Sequence, residues 1–395
     1  MTSMNYLALR RQTLAKNLKK EGVGADAALI TCPVNVTYLT GFTGDASYFI
    51  VAPKNCVLVS DQRFEVQIKE ECPEFAKGQE LDLHIRPHNR TTLEVAAEVL
   101  GKCGAKSVAV EASRLTLSEF EALKELAPKL TFVPHKDLVE SIRAVKDPGE
   151  VERMREAVRV AERAYRMFLA TVRETDTEKD MADALDGYLR RAGARGSAFP
   201  PIDAVGDRAA LPHAPPGDRP LEVASKVLID WGADLVYKSD ITRTLRSPFG
   251  IAPTRRNKFE RVGFEFEEVY QVVLDAQNAA LAALHPGAKA KDVDAAARKV
   301  IASAKLRSEP SAKLGDFFTH GLGHGIGLEV HEAPRIRANS EDVIETGMIV
   351  TLEPAVYIPG WGGIRIEDEV LITRDSCTLL TSLPREVPAP APTTF

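Results

Sequence analysis

Four acidic residues and one histidine in the C-terminal half most limit how this chain can fold. Each ends or occupies a strand-like run or a glycine-rich turn, and the set is Asp230, Asp240, His324, Glu353 and Glu367. A carboxylate that follows an apolar strand is costly to bury unless it is paired or binds a cation. The fold is therefore expected to bring these distant segments together around metal ions.

The ligand types indicate which ions such a cluster would hold. Carboxylates with a single imidazole and no cysteine suit manganese, cobalt or zinc. One dication would leave four carboxylates with an excess of negative charge, whereas two dications balance them and can generate hydroxide at neutral pH. The sequence therefore predicts a pair of divalent metal ions and metal-assisted hydrolysis.

Bulk composition argues against several other classes of protein. The 395 residues are 44% hydrophobic and 27% charged, which is typical of a globular protein large enough for two domains. The net charge of −5 predicts no basic face for nucleic acid. The five cysteines show no CxxC spacing, and the N-terminus lacks an apolar run long enough for a signal peptide or a membrane span. We therefore expect a cytoplasmic protein without nucleic-acid or membrane partners.

The pattern of apolar runs divides the chain into two domains and a tail. Residues 1–140 alternate short β-branched runs with helical stretches, which is typical of a layered α/β domain. Residues 141–385 read as an α+β domain, and residues 386–395 form a proline-rich tail. In the second domain we expect helices at 149–174, 177–192, 255–284 and 290–305, and strands at 226–236, 239–245, 348–357 and 364–372.

The run VLIDWGADLVYKSDITRT predicts a hairpin that carries two of the acids. An apolar strand ends at Asp230, a turn follows at Gly232, and the chain returns to Asp240. Two neighbouring aspartates repel each other unless a cation lies between them. The alternative is a pair of turn aspartates, one of which caps the hairpin, and this motif alone does not separate the two interpretations.

Three histidines lie in the glycine-rich segment HGLGHGIGLEVHEAP, residues 320–334. Glycines allow the main chain to pass close to an ion or a substrate. His324 is flanked by two glycines and is the expected metal ligand, while His320 and His331 are expected to bind substrate or move protons. A lone histidine is more often structural, but three in one such segment favour a functional role.

The run IVTLEPAVYIPGWGGIRIEDEVLIT carries the remaining two acids. Glu353 follows an apolar strand, and strand alternation places Arg365, Glu367 and Glu369 on one face. Arg365 is then placed to orient the Glu367 carboxylate. The alternative is a solvated strand face with an ordinary ion pair. His213 lies in a loop rich in proline and glycine, where a histidine by itself is usually just exposed.

Together these blocks resemble the creatinase/prolidase family of metallopeptidases, which includes Xaa-Pro aminopeptidase, Xaa-Pro dipeptidase and methionine aminopeptidase. NVTYLTGFTG (35–44) resembles the creatinase-like N-terminal domain, and the pita-bread catalytic fold is indicated by DWGA, SDITRT, HGLGHGIGLEVHE, TLEPAVY and GIRIEDEV. The resemblance covers nearly the whole chain, and the order of the blocks is far more specific than any one of them. It implies an α/β creatinase-like domain at 1–140 and an α+β pita-bread metallopeptidase domain at 141–385.

The resemblance implies a role for each acidic candidate. Two metal ions would be held by Asp230, Asp240, His324, Glu353 and Glu367. Asp230 is expected on one ion and His324 on the other, with Asp240 and Glu367 bridging them. Glu353 is expected to bind an ion and to help deprotonate the bridging water, which attacks the carbonyl of an Xaa-Pro bond. Manganese is the expected ion, with cobalt or zinc as alternatives.

The resemblance also implies roles for the remaining candidates. His213 and His331 would hold the substrate and stabilise the tetrahedral intermediate, and His320 would be an accessory histidine beside them. Arg365 would brace the residues behind the metal ligands. The expected substrates are proline-containing peptides or dipeptides, and the expected assembly is a homodimer. Whether dipeptides or longer peptides are preferred is left open.

Two other functions and one departure from the family pattern remain at this point. A creatinase-like amidinohydrolase shares the architecture but acts without metal, and a non-catalytic binding protein is possible on the same scaffold. The spacing from Asp230 to Asp240 is ten residues, whereas the family usually has eleven. We expect the missing residue at the hairpin tip, around 234–236, with both aspartates still meeting.

Overall fold

The computed structural model describes residues 5–77, 81–246 and 263–386. Main-chain contacts divide the chain into two compact units, Met1–Arg143 and Ala144–Phe395, close to the boundary expected from the sequence. The first part of the helix expected at 255–284 and all of the expected tail except Glu386 lie outside the described residues.

The first unit is built on one mixed six-stranded sheet. Its strands are β1 (Ala27–Ile30), β2 (Tyr48–Val51), β3 (Cys56–Ser60), β4 (Leu81–Ile85), β5 (Ser107–Glu111) and β6 (Thr131–His135). Their spatial order is β4-β3-β2-β1-β5-β6. Strand β2 runs antiparallel to both β1 and β3, whereas β1, β5 and β6 are parallel to one another.

Six helices accompany this sheet: α1 (Tyr6–Leu18), α2 (Pro33–Thr40), α3 (Glu65–Glu71), α4 (Thr92–Lys102), α5 (Leu117–Leu126) and α6 (Glu140–Arg143). Helix α4 begins at a capping box between Thr91 and Glu94, which satisfies two main-chain N–H groups. Its buried face joins β-branched strand residues such as Val59 and Val108 in one apolar core. The layered α/β architecture expected for this half of the chain is confirmed.

The described residues of the second unit contain four long helices and three small sheets. The helices are α7 (Pro148–Leu169), α8 (Glu178–Ala192), α9 (Phe266–Ala283) and α10 (Ala290–Ser303). Helix α7 begins at a capping box between Asp147 and Glu150 with Pro148 in its first turn, where a missing N–H costs nothing. Helix α8 is preceded by a capping box of the same kind, between Thr177 and Asp180.

The sheets of the second unit carry the candidate site. One contains β7 (Ile202–Val205), β8 (Lys226–Trp231) and β9 (Ile241–Arg246) in that order. A second has the order β11-β10-β12-β15-β16, with β10 (Gly323–Gly325), β11 (Glu332–Ile336), β12 (Ile349–Leu352), β15 (Asp368–Ile372) and β16 (Cys377–Leu379). The third pairs β13 (Ala355–Ile358) with β14 (Gly362–Arg365).

Two long strands expected from the sequence are each broken. The strand expected at 348–357 divides into β12 and β13, because Pro354 has no N–H to donate and the Glu353 N–H bonds to the Leu322 carbonyl instead. The strand expected at 364–372 divides into β14 and β15, which belong to different sheets. Each break places a candidate acid, Glu353 or Glu367, at a point where the chain passes from one sheet to another.

Apolar side chains of α9 and α10 close the back of these sheets. Val269 and Val273 of α9 and Val293 of α10 are fully buried in one cluster with Val350 and Ile366. Helix α7 also packs against these strands: the Tyr165 ring stacks on Trp231 of β8, with ring centroids 4.2 Å apart. The strands that carry the candidate acids are thus held on rigid supports. No helix within the described ranges is long and apolar enough to cross a bilayer.

Candidate metal centre

The hairpin of β8 and β9 places two of the acids on one face. Asp230 is paired with Thr242 in the β8–β9 ladder, which ends at the Trp231–Ile241 pair, and an isolated bridge joins Asp234 to Lys238 nearer the tip. Because strand side chains alternate, Asp240, two residues before Thr242, shares the face of Asp230. The hairpin thus closes over a spacing of ten residues with a short tip, and both aspartates line the same cavity.

Close approach of the hairpin arms depends on a glycine. A Cβ atom added at Gly232 would lie 1.8 Å from the main-chain oxygen of Ser239. No side chain can be accommodated at that distance, so only glycine lets the returning strand come near enough to present Asp240. A similar restriction applies at Gly323, where an added Cβ would lie 2.0 Å from the Thr351 carbonyl oxygen.

His324 lies in β10, and its free ring nitrogen faces the acids. Its Nδ1 lies 3.1 Å from the Gly325 carbonyl oxygen and therefore carries the proton. Its Nε2 lies 3.7 Å from Asp240 Oδ2 and 3.6 Å from Glu353 Oε1. Burial lowers the pKa of His324 to about 3, so the ring is neutral at pH 7. A neutral imidazole with a free nitrogen is the form that binds metals.

The acids form a buried cluster whose charges oppose one another. Burial, and next the charge of Glu367, raises the pKa of both Asp240 and Glu353 well above the ordinary value. Burial, and next the charge of Asp230, raises the pKa of Glu367 to about 8. Without a cation, these groups retain protons at pH values where exposed carboxylates are ionised.

The donor atoms suit divalent cations. One potential ligand atom from each of Asp240, His324 and Glu367 lies within 4.8 Å of the other two. Asp230 Oδ1 and Glu367 Oε1 are buried without a hydrogen-bond partner in the described part of the chain. Buried carboxylate oxygens rarely remain unpartnered, and a cation is one of the few groups that can satisfy several of them together.

Arg365 bonds to Asp230 rather than directly to Glu367. Its Nη2 donates to Asp230 Oδ2 at 2.5 Å, and its Nε donates to the Thr242 hydroxyl at 3.0 Å. That hydroxyl donates in turn to Glu367 Oε2 at 2.7 Å. The direct contact expected between Arg365 and Glu367 is absent because the chain leaves β14 between them. Arg365 therefore acts on both acids, on Glu367 only through Thr242.

His320 has both ring nitrogens engaged. Its Nδ1 lies 2.7 Å from the Gly321 carbonyl oxygen and carries the proton, and its Nε2 lies 2.9 Å from the Tyr357 hydroxyl. The same hydroxyl accepts a hydrogen bond from Arg365 Nη1 at 2.6 Å, so it donates to His320. Burial lowers the pKa of His320 to about 4. The ring is therefore neutral at pH 7, with both nitrogens in hydrogen bonds within the protein.

The four candidate acids and His324 line a cavity of about 590 Å³. His213 and His331 line it as well, and the His331 ring lies 4.3 Å from that of His324. An apolar wall consists of Phe199, Pro200, Pro201, Ile202, Pro212, Ala214, Pro215 and Pro216. Two exposed cations, Arg335 and Arg337, also line the cavity. All five acidic and imidazole candidates and both additional histidines are thus brought to one place.

Three residues of this site were missed in the sequence. Tyr357 lies four residues after Glu353, but nothing in that run shows that its hydroxyl contacts His320, which lies in a distant loop. Arg335 and Arg337 follow the histidine-rich segment at alternate positions, with Ile336 buried between them. That alternation was the signal that could have marked them as facing the cavity.

Comparison with known proteins identifies the family of the chain. The model of metallopeptidase family M24 matches residues 152–374, and that of the creatinase/prolidase N-terminal domain matches residues 10–145. An Xaa-Pro dipeptidase of Pyrococcus horikoshii is 33% identical over 92% of this chain and 94% of its own length. Several other relatives are described only as uncharacterised peptidases, including one from Bacillus subtilis that is 33% identical over 92% of this chain and 96% of its own.

Solved structures agree with that assignment. The Xaa-Pro dipeptidase from Bacillus anthracis superposes with a TM-score of 0.83 at 30% identity, covering 96% of this chain and 99% of that one. The X-Pro aminopeptidase from Thermotoga maritima superposes with a TM-score of 0.78 at 32% identity, covering 92% and 97%. The chain is thus similar along nearly its whole length to enzymes named for both kinds of Xaa-Pro cleavage.

Proposed function

The chain belongs to metallopeptidase family M24, with a creatinase-like N-terminal domain ahead of a pita-bread catalytic domain, and from that membership we propose that it hydrolyses Xaa-Pro dipeptides. The observation that carries the proposal is the gathering of three buried acids, the half-buried Glu353 and a neutral histidine around one cavity. Intact donors at all five positions argue against a metal-free amidinohydrolase, and membership in an enzyme family argues against a non-catalytic binding protein.

We assign the metal-holding role to Asp230, Asp240, His324, Glu353 and Glu367. Two divalent ions, with manganese preferred over cobalt or zinc, would balance four carboxylates that otherwise raise one another's pKa. Such ions, when bound, supply a strong nucleophile from water at neutral pH and positive charge for the oxygen of the attacked carbonyl. The unpartnered oxygens of Asp230 and Glu367 support this assignment.

The remaining steps fall to side chains that line the cavity. Glu353 is the proposed base, because its carboxylate lies beside His324 within the cavity and can accept a proton from the attacking water. Proline's nitrogen leaves as a secondary amine and must gain that proton. His213 and His331 also line the cavity and are proposed to donate hydrogen bonds to the developing oxyanion.

His320 and Arg365 are proposed to position other groups rather than to react. Both nitrogens of His320 are already bonded, so its role is to fix the hydroxyl of Tyr357. That hydroxyl and Asp230 together fix the Arg365 guanidinium. The sequence offered substrate binding or proton movement for His320, and its two hydrogen bonds are the basis on which we propose a positioning role instead.

The shape of the cavity supports cleavage before proline. An Xaa-Pro nitrogen has no hydrogen, so recognition must come from the ring and from the two ends of the substrate. The apolar wall formed by residues 199–202 and 212–216 offers a rigid surface for a ring. Arg335 and Arg337 make no hydrogen bond or ion pair through their side chains among the described residues, and both line the cavity.

Those two arginines favour dipeptides over longer peptides. A dipeptide carries a free carboxylate on the proline itself, close to the scissile bond, and a guanidinium is well suited to bind it. In a longer peptide that carboxylate is replaced by an amide, which gains nothing from a cation. We therefore propose dipeptidase activity as the main function and N-terminal trimming of longer peptides as a weaker one.

The test uses metal-stripped protein reconstituted with manganese, cobalt or zinc. Ala-Pro should be hydrolysed in the presence of a metal, and more slowly when its carboxylate is masked in Ala-Pro-NH₂ or extended in Ala-Pro-Ala. Ala-Ala and creatine should not be hydrolysed. The Asp240→Asn variant is the matched control and should be inactive with every metal. Hydrolysis of Ala-Pro by fully stripped protein would contradict the proposal.

Assembly and location remain proposals. The family resemblance implies a homodimer, and the scattered cysteines, all five of them free, suit the reducing environment of the cytoplasm. Sedimentation velocity tests the first, and a fully active monomer would contradict it. Cell fractionation tests the second.

A further inference from the structure

Glu369 is a buried carboxylate next to the metal centre that the mechanism above does not use. It lies in β15, is 0% exposed, and is not among the residues that line the cavity. Its Oε1 accepts a hydrogen bond from the main-chain N–H of Asp240 at 3.0 Å. Its Oε2 has no hydrogen-bond partner among the described residues. One of its oxygens is thus hydrogen-bonded to the main chain of Asp240, a proposed metal ligand.

The pairing of the strands explains why a side chain makes this bond. Thr242 of β9 is bridged to Glu367 in antiparallel fashion, and continuing that register by two residues would set Asp240 opposite Glu369. A main-chain bond cannot form there. The main chain of Glu369 is already paired with Thr351 of β12, and its carbonyl oxygen accepts from the Leu380 N–H.

The bond matters because Asp240 lies where the hairpin has little other support. It directly precedes β9 and follows the tight approach of Ser239 to Gly232. Its N–H has no other acceptor in the described residues. A bonded amide fixes the peptide plane, and with it the direction in which the Asp240 side chain leaves the backbone. That direction determines whether its carboxylate stays within reach of His324 and Glu367.

We propose that Glu369 is a positioning residue, which holds the metal ligand Asp240 in place through its main-chain amide. The inference rests on the proposed role of Asp240 as a ligand. The five proposed ligands are then not sufficient by themselves. The shortened hairpin also needs a hydrogen-bond acceptor from β15 to hold Asp240 in position. Partners behind metal ligands typically change metal affinity about 10- to 100-fold when removed.

The experiment measures manganese binding to metal-stripped protein by isothermal titration calorimetry. Glu369→Gln keeps an oxygen that can accept from Asp240, and its affinity should stay within about threefold of wild type, whereas Glu369→Leu removes the acceptor and should bind about tenfold more weakly or worse. At saturating manganese, Glu369→Leu should lower kcat for Ala-Pro while leaving KM unchanged. If Glu369→Leu fails to fold, Glu369→Asp, which withdraws the acceptor by one methylene, should show the weaker binding instead.

The matched control is Glu162→Leu. Glu162 is also a buried carboxylate that accepts main-chain N–H groups, from Ser382 and Leu383, but it does not line the cavity. This variant should lose thermal stability and keep its manganese affinity. Wild-type affinity in Glu369→Leu, or equal losses in Glu369→Leu and Glu369→Gln, would overturn the inference. Absence of metal binding by the wild type would instead overturn the proposed metal centre.

Discussion

The hydroxyl of Tyr357 lies 2.9 Å from Nε2 of His320 and links this histidine to Arg365. On its other side the hydroxyl accepts from Arg365, which in turn bonds to Asp230. A chain of three hydrogen bonds therefore connects His320, at the start of the glycine-rich segment, to Asp230, a candidate metal ligand. Replacing Tyr357 therefore tests whether the reaction depends on Asp230 being held in a fixed orientation.

Removing that hydroxyl should slow the reaction without preventing metal binding. In Tyr357→Phe both His320 and Arg365 lose a buried partner, which typically costs about 1–3 kcal/mol of stability. We expect kcat for Ala-Pro to fall about tenfold, with little change in KM, as is usual for loss of a group that orients ligands. Tyr188→Phe is the matched control, because its hydroxyl bonds only at the surface, to Thr171. Equal kinetics in both variants would contradict the role given to Tyr357.

Arg335 should recognise the free carboxylate of the substrate. Replacing it by methionine keeps most of the side-chain volume and removes the charge, so KM for Ala-Pro should rise about 10-fold or more, the range expected for a charge-assisted contact. KM for Ala-Pro-NH₂, which has no carboxylate, should not change. Steady-state kinetics on both substrates measures the difference. Arg191→Met, an exposed arginine of α8 outside the cavity, should behave as wild type. An equal rise for both substrates would indicate a general role in shaping the cavity.

Removal of metal should make stability depend on pH in a defined direction. The folded-state pKa of Glu367 is raised to about 8, so the metal-free folded protein keeps a proton that the unfolded chain releases above its ordinary pKa of 4.5. Folding then binds protons, and stability falls as pH rises between those two values. Stripped protein should show a lower Tm at about pH 8 than at about pH 5.

Two controls separate this effect from other titrating groups. Manganese should raise Tm more at the higher pH, because the ions replace the retained protons. The stripped Glu367→Gln variant should lose part of the slope, since glutamine has no proton to release. A stripped wild type whose Tm rises steadily over the same range would contradict the opposing-charge description of the cluster.

Glu353 should be required for turnover and dispensable for folding. Glu353→Gln keeps the shape of the side chain but removes its ability to accept a proton, and loss of a general base typically lowers kcat about 10²- to 10⁴-fold. We expect the metal-free variant to keep a Tm close to that of the metal-free wild type, because glutamine has the same shape as the protonated glutamate it replaces. Glu345→Gln, an exposed carboxylate outside the cavity, serves as the control. A near-normal rate in Glu353→Gln would show that another group accepts the proton.

The sequence was sufficient to predict which segments meet, because the order of the blocks along the chain is specific even though single motifs allowed other interpretations. Asp230 follows an apolar strand before a glycine turn, and His324 stands between two glycines that packing with neighbouring strands requires. The hairpin also shows that a spacing of ten residues lets both aspartates line one cavity.

The contacts behind the ligands were not predictable in the same way. The partner of Arg365 depends on the break between β14 and β15, which is set by sheet assignment and not by strand alternation. The hydrogen bond that the Asp240 N–H donates to Glu369 joins residues 129 positions apart in the chain. Tertiary packing determines such pairs, and a local pattern carries no signal for them.

Anomalous diffraction from crystals grown with manganese tests the central claim most directly. We predict two peaks in the cavity, bounded by Asp230, Asp240, His324, Glu353 and Glu367, with the aspartate and glutamate side chains turned toward them. Crystals of the Asp240→Asn variant should show weaker or missing peaks. A cavity without anomalous signal in active wild-type crystals, or ions bound only elsewhere, would contradict the account.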